Sequence, residues 1–223
     1  MSKHVYFKPA FIEFFIDLAQ YNHKDWMDAN RSMYLGEVKT PFEAFVNDLI
    51  AAFKDDYQLG ALTASDCIFR LNRDIRFSKD KTPYKIQMSA LIKKGGKKEM
   101  NEAGLYLEIG PEFVNLYSGA YMPNKEQLLL IRQKIAKQAK VFDAIINAPG
   151  FVKYFGEVLG EKSKILPADL KTAAQKQTLI FHKQFYILHQ MPAESILTTH
   201  FFNEVKQVFN AAKAFNQFLY QLK

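Results

Sequence analysis

The chain has 223 residues, of which 48% are hydrophobic and 14% aromatic, so it can bury a substantial core and is neither disordered nor collagen-like. Its single cysteine, Cys67, excludes an internal disulfide and a cysteine-rich zinc site, and it fits a reducing compartment, so we expect a cytoplasmic protein. The apolar stretch Phe11–Ala19 carries two carboxylates and is shorter than the roughly 18 residues of a membrane span, so neither a signal peptide nor a membrane helix is predicted.

Three helices are predicted in the first third of the chain. Apolar residues recur at i, i+3, i+4 and i+7 from Phe11, which is the spacing of one buried helical face. A second helix carries Trp26, which we expect in the core or at its rim. A third begins at Thr40, the predicted N-cap, with Pro41 in the first turn and Glu43 closing a capping box.

The apolar period changes from helical to two after Leu62. The segment Cys67–Phe77 alternates apolar and polar residues and predicts a half-buried strand, with Arg70, Asn72, Asp74 and Arg76 on one face. Arg73 breaks this alternation, so it either points into the apolar face towards a partner or is re-aimed by a bulge. Further strands are predicted at Ile86–Ile92, Gly104–Ile109 and Phe113–Tyr121. Short turns between neighbouring strands predict an antiparallel meander.

The chain turns helical again beyond Met122. Asn124 and Gln127 have the spacing of a cap and its partner, and a helix is predicted after them. A strand follows at Phe185–His189, and a long amphipathic helix runs from Phe202 to Leu222. This order predicts an α+β fold, with an antiparallel sheet of about four to six strands and helices N-terminal and C-terminal to it. We expect one globular domain over residues 1–223.

The positive charge is concentrated in one segment. Arg70–Lys98 contains ten basic and two acidic residues, a net charge of +8, which leaves about −1 for the rest of a chain whose total is +7. The lysines beside Gly95-Gly96 are predicted to lie at a solvated hairpin tip. The remaining cations make Arg70–Lys85 the densest candidate site, because guanidinium groups bind phosphate or carboxylate bidentately.

We therefore predict that this segment binds an anion, either a phosphate-containing metabolite or nucleic acid. The candidate ligand-binding residues are Arg70, Arg73, Arg76, Ser78, Lys79, Lys81 and Tyr84. A second hypothesis is a hydrolase or transferase acting on phosphoryl or glycosyl bonds, with Asp74 or Asp80 as base or metal ligand, for example together with Glu108. A third is structural: the same charges form ion pairs that brace the sheet against helices, and the partner is another protein.

The charged segment also carries a family resemblance. The string Arg70-x-x-Arg73-Asp74-x-Arg76-Phe77-Ser78-Lys79-Asp80-Lys81-x-Pro83-Tyr84-Lys85 resembles the signature of an uncharacterised bacterial and fungal family, domain of unknown function 2461. Further matching positions are Phe11, Leu18, Asn22, Trp26, Asn30, Tyr34, Pro41, Phe42, Gly119, Tyr121, Pro123, Leu128 and Arg132. The C-terminal half departs from the family, since Pro167–Leu170 lacks a glycine and no His-Pro follows. The resemblance implies no established activity.

Other motifs add little. The five histidines lack zinc-ligand spacing, so no metal site built by the protein is predicted. Common phosphate-binding loops and the serine-hydrolase elbow are absent from the sequence, and Cys67 is expected to be buried and inert. The cofactor and the oligomeric state stay open.

Overall fold

The computed structural model describes residues 4–99 and 103–220. A π-helix, Tyr34–Lys39, joins the third helix to the fourth. Single 3₁₀ turns lie at Gly96–Lys98, Ala168–Leu170, Thr178–Phe181 and Ala193–Leu197. The α-helices are α1 (Pro9–Gln20), α2 (Lys24–Ala29), α3 (Arg31–Met33), α4 (Thr40–Phe53), α5 (Ala64–Cys67), α6 (Lys125–Lys137), α7 (Ala139–Ile146), α8 (Pro149–Phe155), α9 (Lys171–Lys176) and α10 (Phe201–Tyr220).

Four strands form an antiparallel sheet in the order β1-β2-β3-β4. They are β1 (Met88–Lys93), β2 (Gly104–Ile109), β3 (Phe113–Ala120) and β4 (Phe185–Pro192). Helices precede and follow the sheet along the chain, so the predicted α+β class is confirmed. Within residues 4–99 and 103–220, no helix combines the length and the apolar character that crossing a membrane requires.

The chain divides into two compact units. The first contains the described residues of Met1–Glu99, Tyr106–Leu116 and Gln190–Lys206. The second contains those of Met100–Leu105, Tyr117–His189 and Gln207–Lys223. Strands β2, β3 and β4 each contribute residues to both units. The single domain over residues 1–223 stays a prediction.

The core of the first unit is aromatic. Helix α1 buries Phe11 and the other residues of its predicted apolar face, and α4 buries a second stripe that includes Phe45. The rings of Phe45 and Phe201 stack with centroids 5.0 Å apart. Trp26 is half-buried, with its ring centroid 5.4 Å from that of Phe14, so it lies at the rim of this core.

The second unit has its own apolar cluster. Asn124 caps α6, and its side chain and that of Gln127 exchange hydrogen bonds with each other's backbone N–H groups at 2.9 and 3.2 Å. This confirms the predicted capping box. Helices α6, α7 and α8 pack against the apolar residues of α10 from Ala212 onward. The predicted C-terminal helix is observed at Phe201–Tyr220, and Leu222 lies outside the described residues.

The predicted strand Cys67–Phe77 is wrong. Cys67 ends helix α5, and the next residues make only isolated antiparallel bridges, Ile68 with Ala90 and Asn72 with Tyr84. Local bonds replace a ladder: the Asp74 carboxylate accepts the Arg76 N–H at 3.3 Å. The alternation of apolar and polar residues therefore predicted a strand where there is none, because the segment past Asn72 forms hydrogen bonds within itself.

The predicted N-cap at Thr40 is also wrong. Thr40 has helical backbone angles, φ −61° and ψ −46°, and its N–H donates to the carbonyl of Leu35, five residues earlier. Helical structure therefore runs from Arg31 to Phe53 without a break at Thr40. Pro41 lacks an N–H and its ring crowds the preceding turn, and the wider π-turn just before it relieves this crowding.

Candidate functional site

The first unit contains a pocket with a volume of about 610 Å³. One wall comes from α2, α3, the π-helix and the start of α4, and the other from the chain between Ser65 and Asn72 with Tyr84, Met88 and Lys97. Most of the surface that lines the pocket is apolar or aromatic. The charged residues that line the pocket are Arg31, Lys39, Glu43, Arg70 and Lys97.

The π-helix contributes its first and last residues, Tyr34 and Lys39, to the pocket wall. Burial raises the pKa of the Tyr34 phenol, so the hydroxyl stays protonated at neutral pH and can donate a hydrogen bond. π-Helical turns within α-helices occur frequently at functional sites, because the extra residue re-aims side chains. The turn thus brings a neutral donor and a cation to one wall.

Three of the four pocket cations are engaged by the protein. The Arg31 guanidinium lies 3.4 Å from the Asp28 carboxylate, and the Lys39 ammonium lies 3.7 Å from that of Glu43. The Lys97 ammonium donates to the backbone carbonyls of Ser65 and Ile68 at 2.7 and 2.9 Å. Arg70 makes no hydrogen bond or ion pair with any residue in the described ranges 4–99 and 103–220. It is the pocket cation whose donors are all free of protein partners in those ranges.

Lys97 reaches the pocket because of the glycine turn before it. Gly95 and Gly96 both have positive φ, 75° and 69°, and a Cβ on Gly96 would lie 2.8 Å from the Asp66 carbonyl oxygen. The turn is therefore pressed against α5, where Lys97 meets Ser65. The prediction of a solvated tip is wrong for Lys97, which is half-buried, and for Lys93, which is 7% exposed.

A short hairpin stalk leads away from the pocket. The Arg73 N–H donates to the Pro83 carbonyl at 2.8 Å and the Lys85 N–H to the Leu71 carbonyl at 2.9 Å, on either side of the Asn72–Tyr84 bridge. Asn72 and Tyr84 also line the pocket. The loop 73–83 consequently begins and ends at the pocket rim.

Arg73 closes the base of this loop. Its guanidinium donates to the Asp80 carboxylate and to the Thr82 hydroxyl. The Thr82 N–H donates to the other Asp80 oxygen at 2.9 Å, and these bonds lower the pKa of Asp80 to about 2. Arg73 therefore neither points into a sheet face nor sits in a bulge, but folds over its own loop.

Two further contacts hold the loop tip. The Arg76 guanidinium donates to both oxygens of Asp74 at 2.9 and 2.7 Å, and this pair lowers the pKa of Asp74. The Lys81 ammonium donates to the Ile75 carbonyl at 2.9 Å. Within the described residues, the Ser78 hydroxyl and the Lys79 ammonium make no hydrogen bond. The tip presents Phe77, whose surface is 95% exposed.

The predicted ligand-binding residues therefore fall into two groups. Arg70 and Tyr84 line the pocket, whereas the other five belong to the loop: Arg73, Arg76, Ser78, Lys79 and Lys81. Sequence reasoning missed Arg31 and Lys39 as pocket residues, because helical positions before residue 40 carry no local signal that they face a segment near residue 70. Tyr34 entered only through the family resemblance.

The carboxylates proposed for catalysis are all engaged. Asp74 and Asp80 pair with loop arginines, and Glu108 accepts hydrogen bonds from the Tyr106 hydroxyl and the Asn115 amide, each at 3.0 Å. In the described part of the chain, no group of three His, Cys, Asp or Glu side chains has an arrangement that could hold a metal ion. The carboxylates thus act here as hydrogen-bond acceptors.

Lys85 lies close to Arg70 and Glu108. Its ammonium is 5.4 Å from the centroid of the Phe69 ring, and burial together with the nearby charge of Arg70 lowers its pKa, while Glu108 opposes that shift. Burial is the larger cause of the lowered pKa, and electrostatic repulsion by the Arg70 charge adds to it. An anion near Arg70 would relieve that repulsion.

The chain belongs to a family of conserved hypothetical proteins, domain of unknown function 2461, whose model matches residues 10–218. This match confirms the resemblance inferred from the sequence. A search of curated proteins gives no match to the chain.

Proposed function

We propose that the first unit binds a small molecule that joins a phosphate or carboxylate group to an apolar or aromatic body. The single observation that carries the proposal is Arg70, a pocket cation without a hydrogen bond or ion pair to the described part of the chain. Its guanidinium offers the paired donors that suit a phosphate or carboxylate. The neighbouring charge on Lys85 adds to the attraction for an anion.

The rest of the pocket supports this ligand class. A volume of about 610 Å³ lies within the range of small-molecule sites, which are mostly apolar with a few polar groups that fix orientation. Met27, Phe69 and Met88 supply apolar surface for the body of the ligand, and Tyr34 supplies a hydroxyl donor. A phosphorylated metabolite of the cytoplasm, the compartment we expect for this protein, has these features.

The hypothesis that the charges are structural fits the cations of the loop better than it fits Arg70. Arg73 and Arg76 have carboxylate partners, and Lys81 is held by a backbone carbonyl, so these three maintain the shape of the loop. We therefore assign ligand binding in the pocket to Arg70 and loop architecture to the other three.

The test compares Arg70→Gln with Lys171→Gln, an exposed cation of the second unit outside the pocket lining. Each variant is titrated by calorimetry with inorganic phosphate, nucleoside monophosphates and aryl phosphates. Loss of a charged hydrogen bond is worth about 1.5–3 kcal/mol, so Arg70→Gln should weaken binding about 10- to 100-fold while Lys171→Gln changes it less than twofold. Equal losses in both variants, or no binding by the parent protein, would overturn the proposal.

A further inference from the structure

An almost fully exposed aromatic ring lies at the tip of the loop 74–81, which we call the Phe77 loop. Phe77 is 95% exposed, more than the other exposed large hydrophobic side chains in the described chain, of which Ile165 follows at 82%. Phenylalanine is among the residue types most often fully buried, so a ring this exposed is uncommon. The ring contributes nothing to the core, and what it can bind depends on the groups around it.

The Phe77 loop has a defined shape despite its exposure. Asp74 holds Arg76 through two hydrogen bonds, and Lys81 holds the backbone at Ile75. The Arg73 bonds to Asp80 and Thr82 close its base. A ring carried by such a loop loses little conformational entropy when a partner covers it, which favours binding.

The chemistry around the ring indicates a partner with flat rings and negative charge. The Arg76 guanidinium carbon lies 5.8 Å from the centroid of the Phe77 ring. Arg76 uses only part of its five donors on Asp74, and the neighbouring Lys79 is exposed and without a hydrogen bond in the described ranges. Aromatic rings beside cations are the elements that stack unpaired bases and contact the backbone phosphates of single strands.

We propose that the Phe77 loop binds single-stranded nucleic acid, with one base stacked on Phe77 and adjacent phosphates contacted by Arg76 and Lys79. Duplex bases are already stacked and offer the ring no face. A lipid surface would require several apolar side chains, and Phe77 is the single exposed large hydrophobic residue of this loop. The proposal uses residues outside the pocket and stands whether or not the pocket binds a small anion.

The experiment measures binding of fluorescein-labelled 12-nucleotide oligo(dT) and oligo(rA) at low salt by fluorescence anisotropy. Phe77→Ala should weaken binding about 5- to 100-fold, the effect of losing one stacked base. Phe77→Trp should retain or improve affinity, and Phe77→Leu should lose it, because leucine keeps apolar surface but has no flat π-face. Ile165→Ala, a change at another exposed hydrophobic residue, should leave affinity unchanged.

Salt and the second site provide independent readouts. Lys79→Gln should make the log–log salt slope shallower by about 0.7, the value for one single-strand phosphate contact. Arg70→Gln should leave oligonucleotide affinity within twofold of the parent protein, so failure of the pocket proposal would not imitate failure of this one. Thermal unfolding of every variant checks that the fold persists.

Several results would overturn the proposal. These are an absence of oligonucleotide binding by the parent protein, full affinity in Phe77→Leu, or equal affinity for a duplex of the same length. Binding to vesicles containing phosphatidylserine that disappears in Phe77→Ala, without oligonucleotide binding, would instead assign the loop to a lipid surface.

Discussion

We predict that Asn22 stabilises one wall of the pocket. It lies in the turn between α1 and α2, and its side-chain amide forms two hydrogen bonds with the backbone of Tyr84. The Asn22 amide donates to the Tyr84 carbonyl at 2.9 Å, and the Tyr84 N–H donates to the Asn22 carbonyl oxygen at 3.0 Å. Because Tyr84 is 8% exposed and lines the pocket, Asn22 fixes one pocket wall to the N-terminal helices.

The expected cost of Asn22→Ala follows from these two bonds. Each hydrogen bond contributes about 0.5–1.5 kcal/mol net, and a buried partner left unpaired costs about 1–3 kcal/mol. Water reaches the half-buried position of Asn22 and limits the second contribution. We expect a loss of about 2–4 kcal/mol, which for a chain of 223 residues lowers the melting temperature by about 5–12 °C.

Calorimetric unfolding and urea titration measure this loss directly. Asn147→Ala is the matched control, because the Asn147 amide donates a single exposed hydrogen bond to the Asp143 carbonyl at 2.7 Å. That variant should lose less than about 1 kcal/mol. If both variants lose the same amount, the Asn22 bonds do not hold the pocket wall and the reasoning is refuted.

Three other predictions concern buried or paired groups. Arg132, 6% exposed, donates to the His182 carbonyl at 2.9 Å, so Arg132→Met should lower the unfolding free energy by about 3–5 kcal/mol, measured by urea titration. Burial raises the pKa of Cys67 to about 12, so the thiol should react with Ellman's reagent at pH 8 only after unfolding. Bonds from Thr82 and Arg73 lower the pKa of Asp80 to about 2, so they stabilise the loop above the ordinary carboxyl pKa near 4. This contribution should be lost as the pH falls from 4 towards 2, seen as a smaller protection factor of the Thr82 amide against hydrogen exchange.

Sequence periodicity predicted most of the architecture, because burying one face of a helix or strand requires apolar residues at regular intervals. The stripe from Phe11 and the cap at Asn124 confirmed two helices, and strands predicted at Ile86–Ile92 and Phe113–Tyr121 are observed within two residues of those bounds. In these segments local propensity and tertiary burial favour the same structure.

The errors arose where local contacts overrode periodicity. In Cys67–Phe77 the apolar alternation continues to Phe77, yet that ring is 95% exposed and packs on no core. Asp74 and Asp80 satisfy backbone N–H groups that a strand would have paired with a neighbour. At Thr40 the cap pattern is present, but helical structure already extends from Arg31, so the threonine has no free helix end to cap.

The pocket could be predicted only in part, because its walls are distant in sequence. Arg70 and Tyr84 stand in a dense basic segment and were identified from it. Arg31 and Lys39 lie more than thirty residues earlier on ordinary helical positions, and only the packing of the first unit brings them to the same pocket. Lys97 was predicted to be solvated, since the close approach of Gly96 to α5 has no signature in the sequence beyond the glycine pair.

Charge density alone therefore does not identify a binding group, whereas the partners of each charge do. The segment from Arg70 to Lys85 carries six cations and two carboxylates, and the structure separates the cations by what they contact. Arg73 and Arg76 consume both carboxylates in closing the loop. Six cations against two paired carboxylates leave a surplus of four positive charges, on Arg70, Lys79, Lys81 and Lys85. The Lys81 ammonium is held by the Ile75 carbonyl, and the Lys85 ammonium lies over the Phe69 ring. Arg70 at the pocket and Lys79 beside Phe77 make no hydrogen bond with the described residues, so these are the two places where an anion gains most from binding.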